Sequence, residues 1–197
     1  MQIAPTPLQG RHVRLEPVAP AHAAGLFAAA SDDPTVFRWF TAAPPADRAG
    51  FDAFVADNCA RMAKGEHITF VTHDQTTGAI VGSSSYGSID RANRRLEIGW
   101  TWIRRSHQRT PVNTEAKLLM LEHAFERMGC IRVEFKTHHR NEQSRRALAR
   151  IGAVEEGTFR NHMIMPDGTY RHSVYFSVID SEWPQAKAKL QSRLDAG

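Results

Sequence analysis

Between Leu96 and Gly157 the chain reads as a strand, a basic loop, a helix, a second strand, an asparagine-led helix and a third strand. This order constrains the fold more than any other feature, because alternating strands and helices bury their apolar faces only as a sheet with helices packed against it. The helix, expected from about Thr114 to Met128, opens behind a loop that carries Arg104, Arg105 and Arg109. A helix start presents unpaired N–H groups and the positive end of the helix dipole, so basic side chains beside it favour a phosphate. Asn141-Glu142-Gln143-Ser144 then opens the next helix with an asparagine cap. Together these features point to an enzyme that holds a phosphate-bearing cofactor.

The flanking segments fit one α/β domain over residues 1–197 with a mixed sheet. Residues 11–18 alternate as a strand ending at Pro17, and Pro20 precedes a helix over Ala23 to Ala30. Phe37-Arg38-Trp39-Phe40 forms an aromatic knot in a loop before a helix from about Ala46 to Lys64, stopped by Gly65. From His67 the period is two: strands over 68–72 and 79–86 make a hairpin. On the strand from Leu96 to Ile103, alternation puts Glu97 on one face with Gly99 and Thr101, and Trp100 and Trp102 on the opposite, core face. Ile131, Val133 and Phe135 alternate with charged residues in a further strand. Strands over Val154–Phe159 and Ser173–Ile179 and a short helix from Ser181 finish the chain.

The chain carries a formal charge of +4 with a sequence pI near 9.4. No run of five basic residues makes a nucleic-acid track, and the arginines cluster at 91–109 and 140–150, which fits a local anion site better. Cys59 and Cys130 lie in no metal-ligand spacing, so no metal is expected. No secretion signal and no apolar run long enough to cross a bilayer is apparent, which makes no membrane partner and a cytoplasmic location the expectation.

Four local features, in this order and spacing, resemble the GNAT superfamily of acetyl-CoA-dependent N-acetyltransferases, in its RimJ/RimL-like branch. They are Arg14-Leu15-Glu16-Pro17, Glu97-Ile98-Gly99-Trp100, Thr114-Glu115-Ala116, and Asn141-x-x-Ser144 running to Ile151-Gly152-Ala153. The resemblance spans Arg11 to Ile179 and implies a central, mostly antiparallel mixed sheet flanked by helices. It also implies transfer of an acetyl group from acetyl-CoA to a primary amine: a protein N-terminus, an amino acid or a small amine. One departure matters: the family's glycine-rich loop before the main helix is here Arg105-Ser106-His107-Gln108-Arg109-Thr110-Pro111-Val112-Asn113, without glycine. Side chains of Arg104, Arg109 and Asn113 would then replace backbone contacts to the pyrophosphate.

The resemblance also implies site residues. The coenzyme arm would lie along Glu97–Ile103, with Trp102, Ile103, Arg104, Arg109, Thr110, Asn113, Asn141 and Ser144 as its contacts. Glu97 is the candidate base that frees the amine, since a carboxylate on a central strand needs a job or a partner; its structural alternative is a salt bridge to Arg95 or another arginine. Ser144 is the candidate donor to the leaving thiol, its alternative being a helix-start cap. The tyrosine acid found in many relatives is absent, because Leu148 stands at its position. Trp39, Phe40 and Tyr86 are candidate linings of the acceptor pocket, against packing at a core edge. His138 and His139, as strand neighbours, should point to opposite sides. Two rivals stand beside this enzyme: a non-catalytic acyl-CoA-binding or regulatory protein of the same fold, and a nucleic-acid-binding module. The family often dimerises, and a homodimer stays open.

Overall fold

Val13, Leu15, Ile68 and Phe70 lose almost all solvent contact, and their alternation builds the first half of the sheet in the computed structural model, which describes Met1 and residues 3–196. In chain order the elements are β1 (Leu8–Gln9), β2 (Val13–Pro17), α1 (Ala23–Ser31), α2 (Arg48–Ala63), β3 (Ile68–Asp74) and β4 (Ile80–Asp90). β5 (Arg95–Ile103), α3 (Pro111–Glu122), β6 (Arg132–His138), α4 (Glu142–Arg150), β7 (Val154–Ile164), β8 (Tyr170–Ile179) and α5 (Trp183–Asp195) follow. The eight strands form one sheet ordered β1-β2-β3-β4-β5-β6-β8-β7. Every neighbouring pair is antiparallel except β5 with β6. Among the described residues no helix is long and apolar enough to cross a membrane.

Two clusters hold the layers. The larger packs Leu96, Ile98, Val133, Phe135, Val174 and Phe176 against α3 and α5, and the smaller packs Val71 and Trp102 against α1 and α2. α1 and α2 cover only the β2–β5 half of their face, so the β6–β8–β7 half carries no helix there. The main helix starts earlier than its sequence suggests: Thr110 caps it, Pro111 opens it, and past Glu122 it widens into a π-helical turn over His123–Arg127. α3 is anchored by Glu115, whose buried carboxylate accepts the backbone N–H groups of Arg11, His12 and Val13 at 2.8, 2.6 and 2.7 Å.

α3 also carries Lys117 into the core without an acid beside it. Its Nζ donates to Ser84 Oγ at 2.9 Å and to Thr101 Oγ1 at 2.7 Å, and burial pushes its pKa down from 10.5 to about 7. Between those values the unfolded chain keeps a proton that the folded chain releases, so stability must rise with pH across that window and flatten below it. Urea denaturation from pH 7 to pH 9, below the range where the buried Cys130 thiol titrates in the opposite sense, will show the midpoint climbing, and Lys117→Met will remove most of that slope.

Candidate active site

The β5–β6 ladder stops early. Its parallel pairs run only through Arg95↔Arg132, Leu96↔Val133 and Glu97↔Glu134, although β5 continues to Ile103 and β6 to His138. The outer edges of both strands are occupied, by β4 and β8. From Ile98 and Phe135 onward the strands therefore face each other across a gap with no ladder partner. Backbone N–H and C=O groups inside a protein need partners, and two such edges can take up an extended chain as an added strand.

A β-bulge shapes the β5 side of this gap. Ser83 pairs with Trp102 but Ser85 pairs with Gly99, and Trp100 takes φ +49. One extra residue reverses the alternation beyond it, which corrects the faces expected from sequence. Thr101 faces α3, where Lys117 reaches it, rather than sharing the face of Glu97. Trp102 instead joins the α1–α2 side, its ring 5.1 Å from that of Phe37. Trp100 is not core: it is 43% exposed and lies over Gly87 beside the His67 ring.

The loop and two helix starts line the gap's mouth. Arg109 adopts φ +63, the left-handed conformation that glycine takes freely, at a strain of roughly 1 kcal/mol. Arg104 and Arg105 are held by Asp32 (3.1 Å) and Asp33 (3.4 Å) past the end of α1. Among the described residues Arg109 has no acid partner. Gln108 donates to Ile103 O at 3.0 Å and accepts from Gln143 at 3.0 Å, tying the loop to the start of α4. Thr110 Oγ1 donates to His107 O at 2.7 Å as it caps α3. One turn inside α3, Asn113 Oδ1 is buried with no hydrogen-bond partner. Asn141 accepts from Ser144 N–H at 3.1 Å, capping α4.

On the uncovered face, charged side chains gather at the root of the gap. Glu97 is buried; Lys136 of β6 reaches it at 2.8 Å and Ser88 Oγ donates to it at 3.0 Å. Its partner is thus a lysine, not Arg95, which turns to Asp90 and Glu134. Gly99 leaves the space the carboxylate fills, since a Cβ there would lie 2.8 Å from Glu97 Oε1. Burial works against the Lys136 ammonium, yet the Glu97 carboxylate overrides it and holds the pKa above its usual value. The Lys136 ammonium lies 5.7 Å from the Tyr175 ring centre, and burial raises the Tyr175 pKa. Arg171 of β8 donates to Ser173 Oγ at 3.0 Å and to Trp39 O at 3.2 Å.

Trp39 sits where the aromatic loop crosses this face, 4.6 Å ring to ring from His138. Phe40 packs on Phe37 instead, 5.4 Å away. Tyr86 does not join them: it is fully buried on the α3 side and donates to Met120 O at 2.6 Å, so it lines no acceptor pocket. His138 and His139 also depart from expectation. His139 lies past the end of β6, where alternation lapses, and the two rings stack 4.5 Å apart. Burial, then the His139 and arginine charges, lower the His138 pKa to about 4. Its Nδ1 accepts from Arg140 N–H at 3.0 Å, so the neutral ring carries its proton at Nε2 and is no base. A groove of about 930 Å³ adjoins this cluster, lined by Thr158, Phe159, Arg160, Asn161, His162 and His172. Sequence reasoning missed Lys136, Tyr175 and Arg171; the polar alternation of β6 was the available signal for Lys136.

A sequence model described as an acetyltransferase (GNAT) domain matches residues 12–154. The candidate ribosomal N-acetyltransferase YdaF of Bacillus subtilis (strain 168) is 33% identical over 110 residues, 56% of this chain and 59% of that protein. The chain spans somewhat over half the length of the curated relatives it matches. A GCN5-related N-acetyltransferase from Brucella melitensis superposes with a TM-score of 0.91 at 36% identity, covering 98% of this chain and 86% of that one. RimJ of Mycobacterium smegmatis, solved with CoA-disulfide, shares the fold with a TM-score of 0.83 at 24% identity, covering 95% and 93% of the two chains.

The Glu97–Lys136 pair generates a stability test. Lys136→Met leaves a buried carboxylate with one hydroxyl partner and should cost about 3 kcal/mol in urea denaturation. Adding Glu97→Gln should recover much of that loss, because the stranded charge is then gone.

Proposed function

The chain belongs to the acetyltransferase (GNAT) domain family, and on that premise we propose that it binds acetyl-CoA in the β5–β6 gap and acetylates a primary amine. The observation that carries this reading is the parallel ladder that ends at Glu97 and Glu134 while both strands run on. The pantetheine arm is the extended, amide-bearing chain that such edges accept, along Ile98–Ile103 with Trp102 and Ile103 at its far end. Arg109, Thr110 and Asn113 meet the pyrophosphate at the start of α3, where the helix dipole favours an anion. Arg104, already committed to Asp32, contributes charge to the mouth more than a direct bond.

Acetyl-CoA supplies an activated acetyl thioester, whose carbon takes the amine nitrogen while its sulfur leaves as thiol. The protein's part is to remove a proton from the amine, hold the two partners together and stabilise the departing sulfur. Glu97 accepts the amine proton at the root of the gap, and Lys136 and Ser88 hold its carboxylate in place. Ser144, a hydroxyl at the dipole-positive start of α4, donates to the sulfur, and Asn141 fixes that helix start. Trp39 and the open β7 groove define the acceptor side, while Phe40 packs on Phe37. The width and polarity of that groove fit an amine on a peptide better than a small apolar amine, and the ribosomal name carried by YdaF agrees. The second reading, a non-catalytic acyl-CoA holder, draws on the lysine already closing on Glu97.

Calorimetry should show acetyl-CoA binding saturably, one to one. Arg109→Ala and Asn113→Ala should each weaken it by about tenfold, the loss of one charge-assisted or buried hydrogen bond. With peptides bearing free N-terminal amines, thiol release should fall about a hundredfold or more in Glu97→Gln while acetyl-CoA affinity holds. Binding without thiol release across peptides, amino acids and small amines would favour the non-catalytic holder.

A further inference from the structure

At the β2–β3 side of the sheet, three side chains converge that no sequence spacing groups. Glu16 lies on β2, His73 on β3, and His22 in the short turn that opens α1. Arg14 pairs with His73 across the ladder, so Glu16 and His73 are diagonal neighbours on one face, and His22 lies over them with its ring edge-on to His73. Glu16 Oε2 is 3.2 Å from His22 Nε2 and 3.1 Å from His73 Nε2. All three donor atoms fall within 4.8 Å of one another.

The His73 contact is the anomaly. Its side chain is 9% exposed, and its Nε2 is buried with no hydrogen-bond partner although Glu16 Oε2 stands so close. Its other nitrogen, Nδ1, is 3.4 Å from the Gly78 carbonyl. An imidazole with one proton faces an acceptor on each side and can satisfy only one. A cation at Nε2 resolves the conflict, with Nδ1–H pointing at the carbonyl as metal-bound histidines commonly do.

We propose that Glu16, His22 and His73 form a binding site for a divalent transition cation of the zinc type, with water completing the shell. The two contacts to Glu16 Oε2, 3.1 and 3.2 Å, lie near the edge of a tetrahedron built on metal–donor bonds of about 2.0–2.1 Å, which is about 3.3 Å, and the edge between the two histidines is within 4.8 Å. Two imidazoles and a carboxylate suit zinc, cobalt or nickel, whereas magnesium and calcium prefer all-oxygen shells. Arg14 holds the other carboxylate oxygen, Oε1, at 2.7 Å and so orients Oε2 toward the histidines, while its charge moderates affinity. His22 Nδ1 accepts from Ala19 N–H at 3.0 Å, so ligation through Nε2 moves the ring proton to Nδ1 and breaks that bond, a cost the metal must outweigh. The ion would staple the start of α1 to β2 and β3, independently of the acetyl-transfer reading.

The test uses the full chain stripped with a chelator, then titrated with zinc chloride by calorimetry and with cobalt chloride by visible absorption. The site predicts one equivalent of zinc and the intense visible bands of four-coordinate cobalt. At a hundredfold excess over the dissociation constant, the thermal midpoint should rise by about 5–10 °C. Glu16→Gln and His73→Gln should each abolish saturation, while His162→Gln, outside the cluster, retains it. Wild-type protein with neither saturable zinc binding nor a cobalt spectrum overturns the proposal, as does saturation that survives both substitutions. Should a variant misfold by circular dichroism, zinc-induced shifts confined to the His22 and His73 ring resonances of the wild type decide instead.

Discussion

The end of the β5–β6 ladder is the constraint on which the rest of the site depends. A mixed sheet has little reason to leave two long central strands unpaired, because each buried N–H and C=O left without a partner costs about 1–3 kcal/mol. Here both outer edges are satisfied and only the inner ones part company, after Glu97 and Glu134. The bulge at Trp100 steers β5 away from β6, and Lys117 braces the bulged segment from below through Ser84 and Thr101. The opening is thus built into the sheet, with a buried lysine holding its shape.

Charge is arranged around that opening in two groups of opposite task. At the mouth, the start of α3 lies behind an arginine in a left-handed conformation, an arrangement that favours an anion. At the root, the Glu97–Lys136 pair spans the two strands where their backbone pairing stops. The first group suits a phosphate, the second a proton transfer, and the distance between them is bridged by strand edges rather than by side chains. In the proposed reading, acceptor choice falls to a third region, the Trp39 loop and the groove along β7.

Much of the framework was legible in the sequence because it rests on local signals. The hairpin of β3 and β4, the Asn141 cap and the stop at Gly152 follow from periodicity and capping chemistry that act over a few residues. What was illegible depends on one-residue events or on distant partners. The bulge inverts the faces of Thr101 and Trp102, and no composition rule marks Trp100 as the residue that bears it. Tyr86 was misplaced because strand alternation says which residues share a face but not which face meets α3. Lys136 as the partner of Glu97, and Glu16 with His22 and His73, arise from strands brought together only by the finished sheet. The arginine in place of a loop glycine was visible, but its left-handed backbone was not.

The central claim is that the coenzyme completes the sheet. Amide hydrogen exchange with and without acetyl-CoA tests it most directly, read by peptide mass over the whole chain. The account predicts new protection concentrated in Ile98–Ile103 and in the amides opening α3, with the β7 edge unchanged. Protection that appears elsewhere, leaving Ile98–Ile103 exchanging as before while acetyl-CoA is bound, would contradict it.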